Sequence, residues 1–306
     1  MILVTGAAGY MGSALVHALS RKKKPVRAVD NFTTGTLRKV NDSPVWEKDF
    51  TSLTDVKEMV QGVTTIVHLG AISDITQCQN HPKEALLTNV LSVKYLIDEG
   101  VNAGVQKIIF PSSFAVYDPD STTITEETTI QPQNYYGQMK WWAEELLKAE
   151  QRKGTLDTII FRQSNICGKG LVSKRTVLEA FCRSLLENRE IRIHGSGKQV
   201  RNFIHLEDAI EAYLQAIDTP VTGVWNLAGE ETYSIRQLAQ LVNQVGEERL
   251  GRTVRVITDP NAQTGHEREP QDITCDLHRL KELLNHRPMW TVKETIHQLL
   301  NQKQTR

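Results

Sequence analysis

The chain has 306 residues, 40% hydrophobic and 24% charged, a balance that suits a folded globular protein of one large domain or a large domain with a smaller companion. Lys+Arg and Asp+Glu both number 36, for a formal net charge of zero, which removes the basic footprint of a dedicated nucleic-acid binder. No apolar run reads as a bilayer span or a signal peptide, so a cytoplasmic location with no membrane partner is expected.

Short apolar segments at 2–5, 26–29, 65–69 and 107–111 read as strands, and amphipathic stretches at 9–20, 53–60 and 82–103 read as helices. Strand and helix in alternation predict an α/β fold, a Rossmann-type doubly wound parallel sheet with helices on both faces. The basic run Arg21-Lys22-Lys23-Lys24 falls between helix and strand and reads as a solvated loop. A further helix is expected over 136–153, with Trp142, Leu146 and Ala149 at helical apolar spacing, and then a strand over 156–162. Beyond about Asn165 the rhythm changes. Strands at 191–194 and 224–227 are interleaved with helices at 176–187, 207–217 and 234–245, and helices at 277–284 and 292–300 close the chain. This predicts a dinucleotide-binding domain over 1–165 and a smaller C-terminal α/β substrate domain over 166–306. Segments around 162–180 and 204–230 are expected to pass between the two. The cysteines Cys78, Cys167, Cys182 and Cys275 are scattered, with neither metal-ligand spacing nor a disulfide framework.

Thr5-Gly6-Ala7-Ala8-Gly9-Tyr10-Met11-Gly12 follows the first strand and opens the first helix. Glycines in that place allow a tight turn, close approach of backbone to a pyrophosphate, and close helix–strand packing. The helix N-terminus then offers free N–H groups to the phosphates. Asp30 ends the second strand, where a carboxylate binds both adenosine ribose hydroxyls and repels a 2′-phosphate, which favours NAD over NADP. Asp30-Asn31 is also good turn chemistry. Asp49-Phe50 ends another short segment, where a carboxylate can meet the adenine amine. His68-Leu69-Gly70-Ala71 ends the strand over 65–69 with small residues that let a cofactor pass close to backbone.

Tyr136 and Lys140 lie four apart and project from one helix face. A free tyrosine, at a reference pKa of about 10, is a poor base at neutral pH. A nearby ammonium and a positive nicotinamide ring both favour its phenolate. Ser112-Ser113 follows the strand over 107–111, at the sheet edge where ligands of parallel α/β proteins sit. A hydroxyl there can bond a reacting oxygen, or can simply end the strand.

These residues resemble the extended short-chain dehydrogenase/reductase family, especially its NAD-dependent nucleotide-sugar epimerases and dehydratases, over nearly the whole chain. Thr5–Gly12 resembles the family's glycine motif, which implies that Gly6, Gly9, Tyr10, Met11 and Gly12 bind the cofactor. Asp30-Asn31-Phe32-Thr33-Thr34-Gly35 resembles its adenosine-ribose segment, implicating Asp30, Asn31, Phe32, Thr33 and Gly35. The resemblance adds Asp49, Phe50, Leu69, Gly70, Ala71, Ser73, Asn89, Ser112 and Ser164 to the cofactor set, with Tyr136 and Lys140. Ser113-Phe114-Ala115-Val116-Tyr117 resembles the strand end that carries the catalytic Ser or Thr, and 132–140 the Tyr-Gly-x-x-Lys segment. Gly195-Ser196-Gly197-Lys198-Gln199-Val200-Arg201-Asn202-Phe203-Ile204-His205-Leu206-Glu207-Asp208 resembles the family's most specific block, which makes Arg201 a substrate-phosphate ligand. Asn165 is implied as a substrate contact. A second phosphate ligand falls on His266 or Arg268, and a hexose-pocket residue on Ile273. A homodimer packed through 82–103 and 136–153 is implied as well, with Trp141 either in that face or in the core.

Asp118, Lys169 and Asn202 depart from the family pattern, and so do Phe114 and Ala115. Relatives that eliminate water carry Asp and Glu at those last two positions, and decarboxylating relatives usually keep a Glu. Neither Phe114 nor Ala115 moves a proton. The resemblance therefore implies 4-epimerisation of a nucleotide sugar, with NAD as cofactor and Ser113, Tyr136 and Lys140 as catalytic set. A 4-ketoreductase or dehydrogenase on the same residues is the alternative, and a non-catalytic dinucleotide-sensing regulator a second.

Overall fold

Strands such as Ile2-Leu3-Val4 are apolar on both faces, which only a sheet covered on both sides can bury. In the computed structural model, which describes residues 1–259, 273–282 and 285–301, these segments form one eight-stranded sheet. Its strands are β1 (Ile2–Thr5), β2 (Val26–Asp30), β3 (Lys39–Val40), β4 (Ser43–Glu47), β5 (Thr65–His68), β6 (Lys107–Ser113), β7 (Asp157–Gln163) and β8 (Gly223–Leu227). The order across the sheet is β8-β7-β6-β5-β1-β2-β4-β3. All neighbours are parallel except the β3–β4 pair. The reversal of strand order at β1 places the crevice for a ligand at the carboxyl ends of β1, β2 and β5.

Alternate strand residues feed two cores. Val4, Val67, Ile109 and Phe161 pack with Leu15, Ala212 and Tyr213 of helices Tyr10–Arg21 and Leu206–Asp218. Leu3, Ile66, Ile108 and Ile160 pack on the other face with helices Leu53–Met59, Ser92–Asn102 and Tyr135–Arg152. Helix Leu206–Asp218 and β8, both from late in the chain, thus join the first sheet, with Val224 opposite Ile160. A third core, including Phe181, Ile193, Phe203, Leu238 and Ile296, holds a second unit. That unit contains a three-stranded sheet of Asn165–Cys167, Val200–His205 and Thr232–Ser234, and a two-stranded sheet of Ile191–His194 and Val256–Asp259.

The structure corrects the sequence reading in several places. The helix expected over 82–103 is broken into Pro82–Leu86, a π turn Leu87–Leu91, and Ser92–Asn102. The buried face of Tyr135–Arg152 is Gly137, Met139, Lys140, Ala143, Glu144 and Leu147. Trp142 is 42% exposed, so the stripe read from Trp142, Leu146 and Ala149 is offset from the true core face. Two of the buried positions are charged, and a hydrophobic count does not register them. The strand Val200–His205 escaped for the same reason, because its Asn202 and His205 are polar and buried. The helix expected over 277–284 is described as His278–Glu282. No described helix is long and apolar enough to cross a membrane.

Candidate active site

The glycine loop is built by exclusion. Gly6 has φ +66°, and a Cβ there would lie 2.7 Å from the backbone N of Gly70. A Cβ on Gly12 would lie 2.0 Å from the Gly6 carbonyl oxygen. With no side chain at either position, the first turn of helix Tyr10–Arg21 sits against the ends of β1 and β5. Asp30 is buried and ties this loop to its own turn: Ala8 N donates to Oδ2 at 2.9 Å and Phe32 N, just after β2, to Oδ1 at 2.8 Å. Asn31 accepts from Thr33 N, and the Arg38 guanidinium lies 3.7 Å from the Phe32 ring centre. Gly35 packs on Ala8, where a Cβ would come within 2.5 Å. Met11 packs against the first core. The Tyr10 hydroxyl donates to Gly168 O at 2.6 Å, so its side chain ties this helix to the second unit.

On the next strands, Asp49 caps its own turn, accepting from Thr51 N at 2.8 Å. Phe50 is buried against His68 and fills the space a Cβ on Gly70 would need. His68 Nδ1 bonds Thr5 Oγ1 at 2.7 Å. Burial, with some help from Lys140, holds its imidazole down at about 3, so it is neutral at physiological pH. Leu69, Gly70 and Ala71 run past the loop, with Gly70 N donating to Thr5 Oγ1. Asn89 lies in the π turn. It accepts from Ile72 N and donates to Ile72 O, both at 2.9 Å, and so latches the loop after β5 just before Ser73. Its side chain acts on backbone here, and π turns of this kind cluster at functional sites.

The catalytic candidates meet at the end of β6. Asn134 caps helix Tyr135–Arg152, accepting from Gly137 N at 2.9 Å. Gly137 lets that helix end press on the strand end, since a Cβ there would lie 2.2 Å from Ala115 O. Tyr136 therefore stands in the first turn, where the positive end of the helix favours a phenolate. Burial pushes its phenol up to about 12, and the Ser113 hydroxyl beside it opposes that rise. Ser113 Oγ also accepts from Ala115 N at 3.1 Å. Lys140 is buried, donates to Pro111 O at 2.7 Å, and lies 5.8 Å from the Tyr136 ring centre. Burial pulls its ammonium down to about 8, against the pull of Cys78 and Glu144.

A cleft of about 620 Å³ opens beside this group. It is lined by Ser73, Ser112, Ser113, Tyr136, Ser164 and Asn165, and also by Arg201 and Ile273. The Ser112 hydroxyl is directed away from it, donating to Glu144 Oε1 at 2.5 Å. Ser164 Oγ is buried without a hydrogen-bond partner among the described residues. Asn165 donates to Asn202 O at 3.0 Å. Arg201 donates to Val200 O at 2.9 Å. Asp208 is engaged elsewhere, accepting from Met289 N and Trp290 N. Ile273 both lines the cleft and packs against Val116, Tyr117 and Ile124, with Trp141 on the same cluster. His266 and Arg268 lie outside the described residues.

Sequence reasoning missed the groups behind the site. Glu144 and Arg162 form a buried pair at 2.8 Å, and Glu144 also holds Ser112. They are 18 positions apart, on a helix and a strand, so no local spacing joins them. The signal available was two charges inside otherwise apolar elements.

The cradle suits a dinucleotide: glycines that leave backbone bare, a helix N-terminus, an acidic residue at the end of β2, and an orphan hydroxyl at Ser164. The family model described as the NAD dependent epimerase/dehydratase family matches residues 2–228. Among curated proteins, the chain is 30% identical over 252 residues to a putative UDP-glucose 4-epimerase of Methanocaldococcus jannaschii, covering 79% of this chain and 81% of that one. It is 28% identical over 311 residues to a UDP-N-acetyl-alpha-D-glucosaminuronate decarboxylase of Bacillus cytotoxicus, covering 96% of each. Among solved structures, MoeE5 in complex with UDP-glucuronic acid and NAD superposes with a TM-score of 0.85 at 25% identity, covering 97% of this chain and 96% of that one.

Proposed function

The chain belongs to the NAD dependent epimerase/dehydratase family, and we propose that within it the protein is a nucleotide-sugar 4-epimerase of the UDP-hexose type, working through a transient 4-keto sugar. The observation that carries this reading is the lining beside Tyr136. Ser113 and Tyr136 can handle the proton of one hydroxyl, while Phe114 and Ala115 supply no second acid or base for elimination or decarboxylation.

Bound NAD supplies the hydride acceptor and donor and, when oxidised, a positive ring that favours the Tyr136 phenolate. Tyr136 takes the C4 hydroxyl proton and later returns it. Ser113 orients that oxygen and steadies the phenolate. Lys140 would hold the nicotinamide ribose of bound NAD. Arg201 and Asn165 hold the diphosphate end while the hexose turns over. The purified chain should retain NAD and invert C4 of at least one sugar in an NMR screen of UDP-, dTDP-, GDP- and CDP-hexoses. Net consumption of added cofactor without inversion would overturn the reading.

Two substitutions separate the binding roles. Asp30→Ala should weaken NAD by roughly tenfold or more and narrow discrimination against NADP, since a buried charged acceptor for the ribose hydroxyls is lost. Fluorescence titration with both cofactors checks this, and a wild type that already prefers NADP contradicts it. Arg201→Ala should raise KM for the nucleotide sugar by about 10- to 100-fold while sparing NAD affinity, because an arginine–phosphate bond is charge-assisted. An unchanged KM makes Arg201 structural. A homodimer belongs to the same proposal: Leu86, Leu91, Tyr135 and Trp142 remain exposed on the helices around 82–102 and 135–152. Light scattering of the purified chain tests it, and a monomer at micromolar concentration would refute it.

A further inference from the structure

Tyr10 stands inside the glycine motif, yet its side chain is built into the other unit of the molecule. It is the first residue of helix Tyr10–Arg21 and is 8% exposed. A buried phenol needs a partner for its hydroxyl, and the partner here is Gly168 O at 2.6 Å. The ring is used as well. A Cβ on Gly170 would lie 2.8 Å from ring atom Cδ2, so the segment after Gly168 is seated directly on the ring. Lys174 Nζ lies 5.7 Å from the ring centre. A second tie comes from helix Val292–Leu300, where Gln298 Oε1 accepts from Lys169 N at 2.8 Å. Gly168, at φ +111°, packs under the His205 ring, which a Cβ there would meet at 2.5 Å.

The residues at both ends of this segment belong to the cleft. Ser164 and Asn165 line it before Gly168, Lys174, Arg175 and Thr176 line it after, and Tyr10 itself lies outside the lining. Strand Asn165–Cys167 also pairs with Val200–His205, the strand of Arg201, with Phe203 opposite Asn165. Tyr10 therefore fixes the backbone that carries Asn165 and Lys174 to the cleft without reaching the cleft. Packing in the core needs only the ring; the hydroxyl adds a directional bond that sets where that backbone stands. On the nucleotide-sugar reading, on which this inference rests, we propose that the Tyr10 side chain is a positioning residue for the substrate. A residue of the cofactor motif then governs nucleotide-sugar affinity more than NAD affinity: its backbone stays with the glycine loop, and its hydroxyl serves the other ligand.

The test is calorimetric titration of the NAD-loaded full chain with UDP, together with equilibrium dialysis of the same protein against graded NAD. Wild type, Tyr10→Phe and Gly170→Ala are compared. Tyr10→Phe removes only the hydroxyl. Gly170→Ala leaves the glycine motif untouched and pushes the segment off the Tyr10 ring from its own side. Each should weaken UDP by about three- to tenfold and move NAD affinity by less than about twofold, the range one buried hydrogen bond governs. KM for the nucleotide sugar should rise with the UDP dissociation constant while kcat is retained, as for a binding contribution shared by ground and transition states. A purely structural role would lower the melting temperature and leave the ratio of the two affinities alone. UDP affinity within about twofold of wild type in Tyr10→Phe, or equal losses of UDP and NAD, would overturn the proposal. If Tyr10→Phe does not fold, Gly170→Ala decides by the same two numbers. These shifts in a protein that inverts C4 of no sugar would overturn the epimerase reading alone. A wild type that binds no UDP would overturn the UDP-hexose reading and this inference together.

Discussion

Tyr136→Phe should leave the fold and NAD binding intact and lower turnover by about 10²–10⁴-fold, the usual contribution of a positioned general base. Phenylalanine keeps the ring that packs near Met139 and Cys78 and removes only the proton-handling oxygen. The loss should fall on kcat, with KM for the nucleotide sugar little changed, since the missing interaction belongs to the transition state. The environment sharpens the expectation. With its phenol raised to about 12 by burial, Tyr136 is protonated at neutral pH until positive charge is gathered near it. The rate should therefore climb with pH below the pKa of the assembled site. Near-wild-type turnover in Tyr136→Phe, measured by NMR of C4 inversion, would remove the proposed base.

Glu144→Ala should destabilise the fold by about 3–5 kcal/mol, because it strands a buried guanidinium. Arg162 and Glu144 side chains are 3% and 0% exposed. Glu144 accepts from Arg162 Nε at 3.0 Å and Nη2 at 2.8 Å, and from Ser112. Burial alone would raise the Glu144 carboxyl, but the Arg162 bonds and charge win and hold it below the ordinary glutamate value. A lowered carboxyl contributes stability above its unfolded-state value and loses it as pH falls through the folded one. Wild type should thus lose this contribution in acid, and Glu144→Ala should show a flatter stability profile there. The double variant Glu144→Leu/Arg162→Met should recover much of the loss, since an apolar pair leaves no charge unpaired. Denaturant melts of the three proteins decide it, and a cost under about 1 kcal/mol for Glu144→Ala would show that water reaches Arg162.

How far the sequence could be read depended on where the chemistry lay. Ile2–Thr5 and Lys107–Ser113 are legible as short continuous apolar runs, and helix Tyr10–Arg21 because its apolar residues repeat at the helical period. The glycine loop is legible because bare backbone demands a residue type and not a partner. Tyr136 and Lys140 are neighbours through one helix, so spacing alone places them together. The rest depends on contacts between distant segments. Nothing near Tyr10 says that its hydroxyl will meet Gly168, and nothing near Ser112 says that its hydroxyl will turn to Glu144. In the second unit, buried polar residues such as Asn202 and His205 blur the hydrophobic pattern of their own strand.

The π turn at Leu87–Leu91 has a consequence for anyone redesigning this chain. One residue more than an α-helix needs is folded into that turn, so deleting a single residue would give a straighter, more regular helix. Each residue removed also rotates what precedes it by about 100° about the helix axis. Asn89 could then no longer reach both the N–H and the C=O of Ile72. The loop past Gly70 would lose its latch while the helix itself melted no earlier. Cofactor affinity would fall even in a variant whose helix melted no earlier, so a library ranked on melting temperature alone would not screen out variants less able to hold NAD.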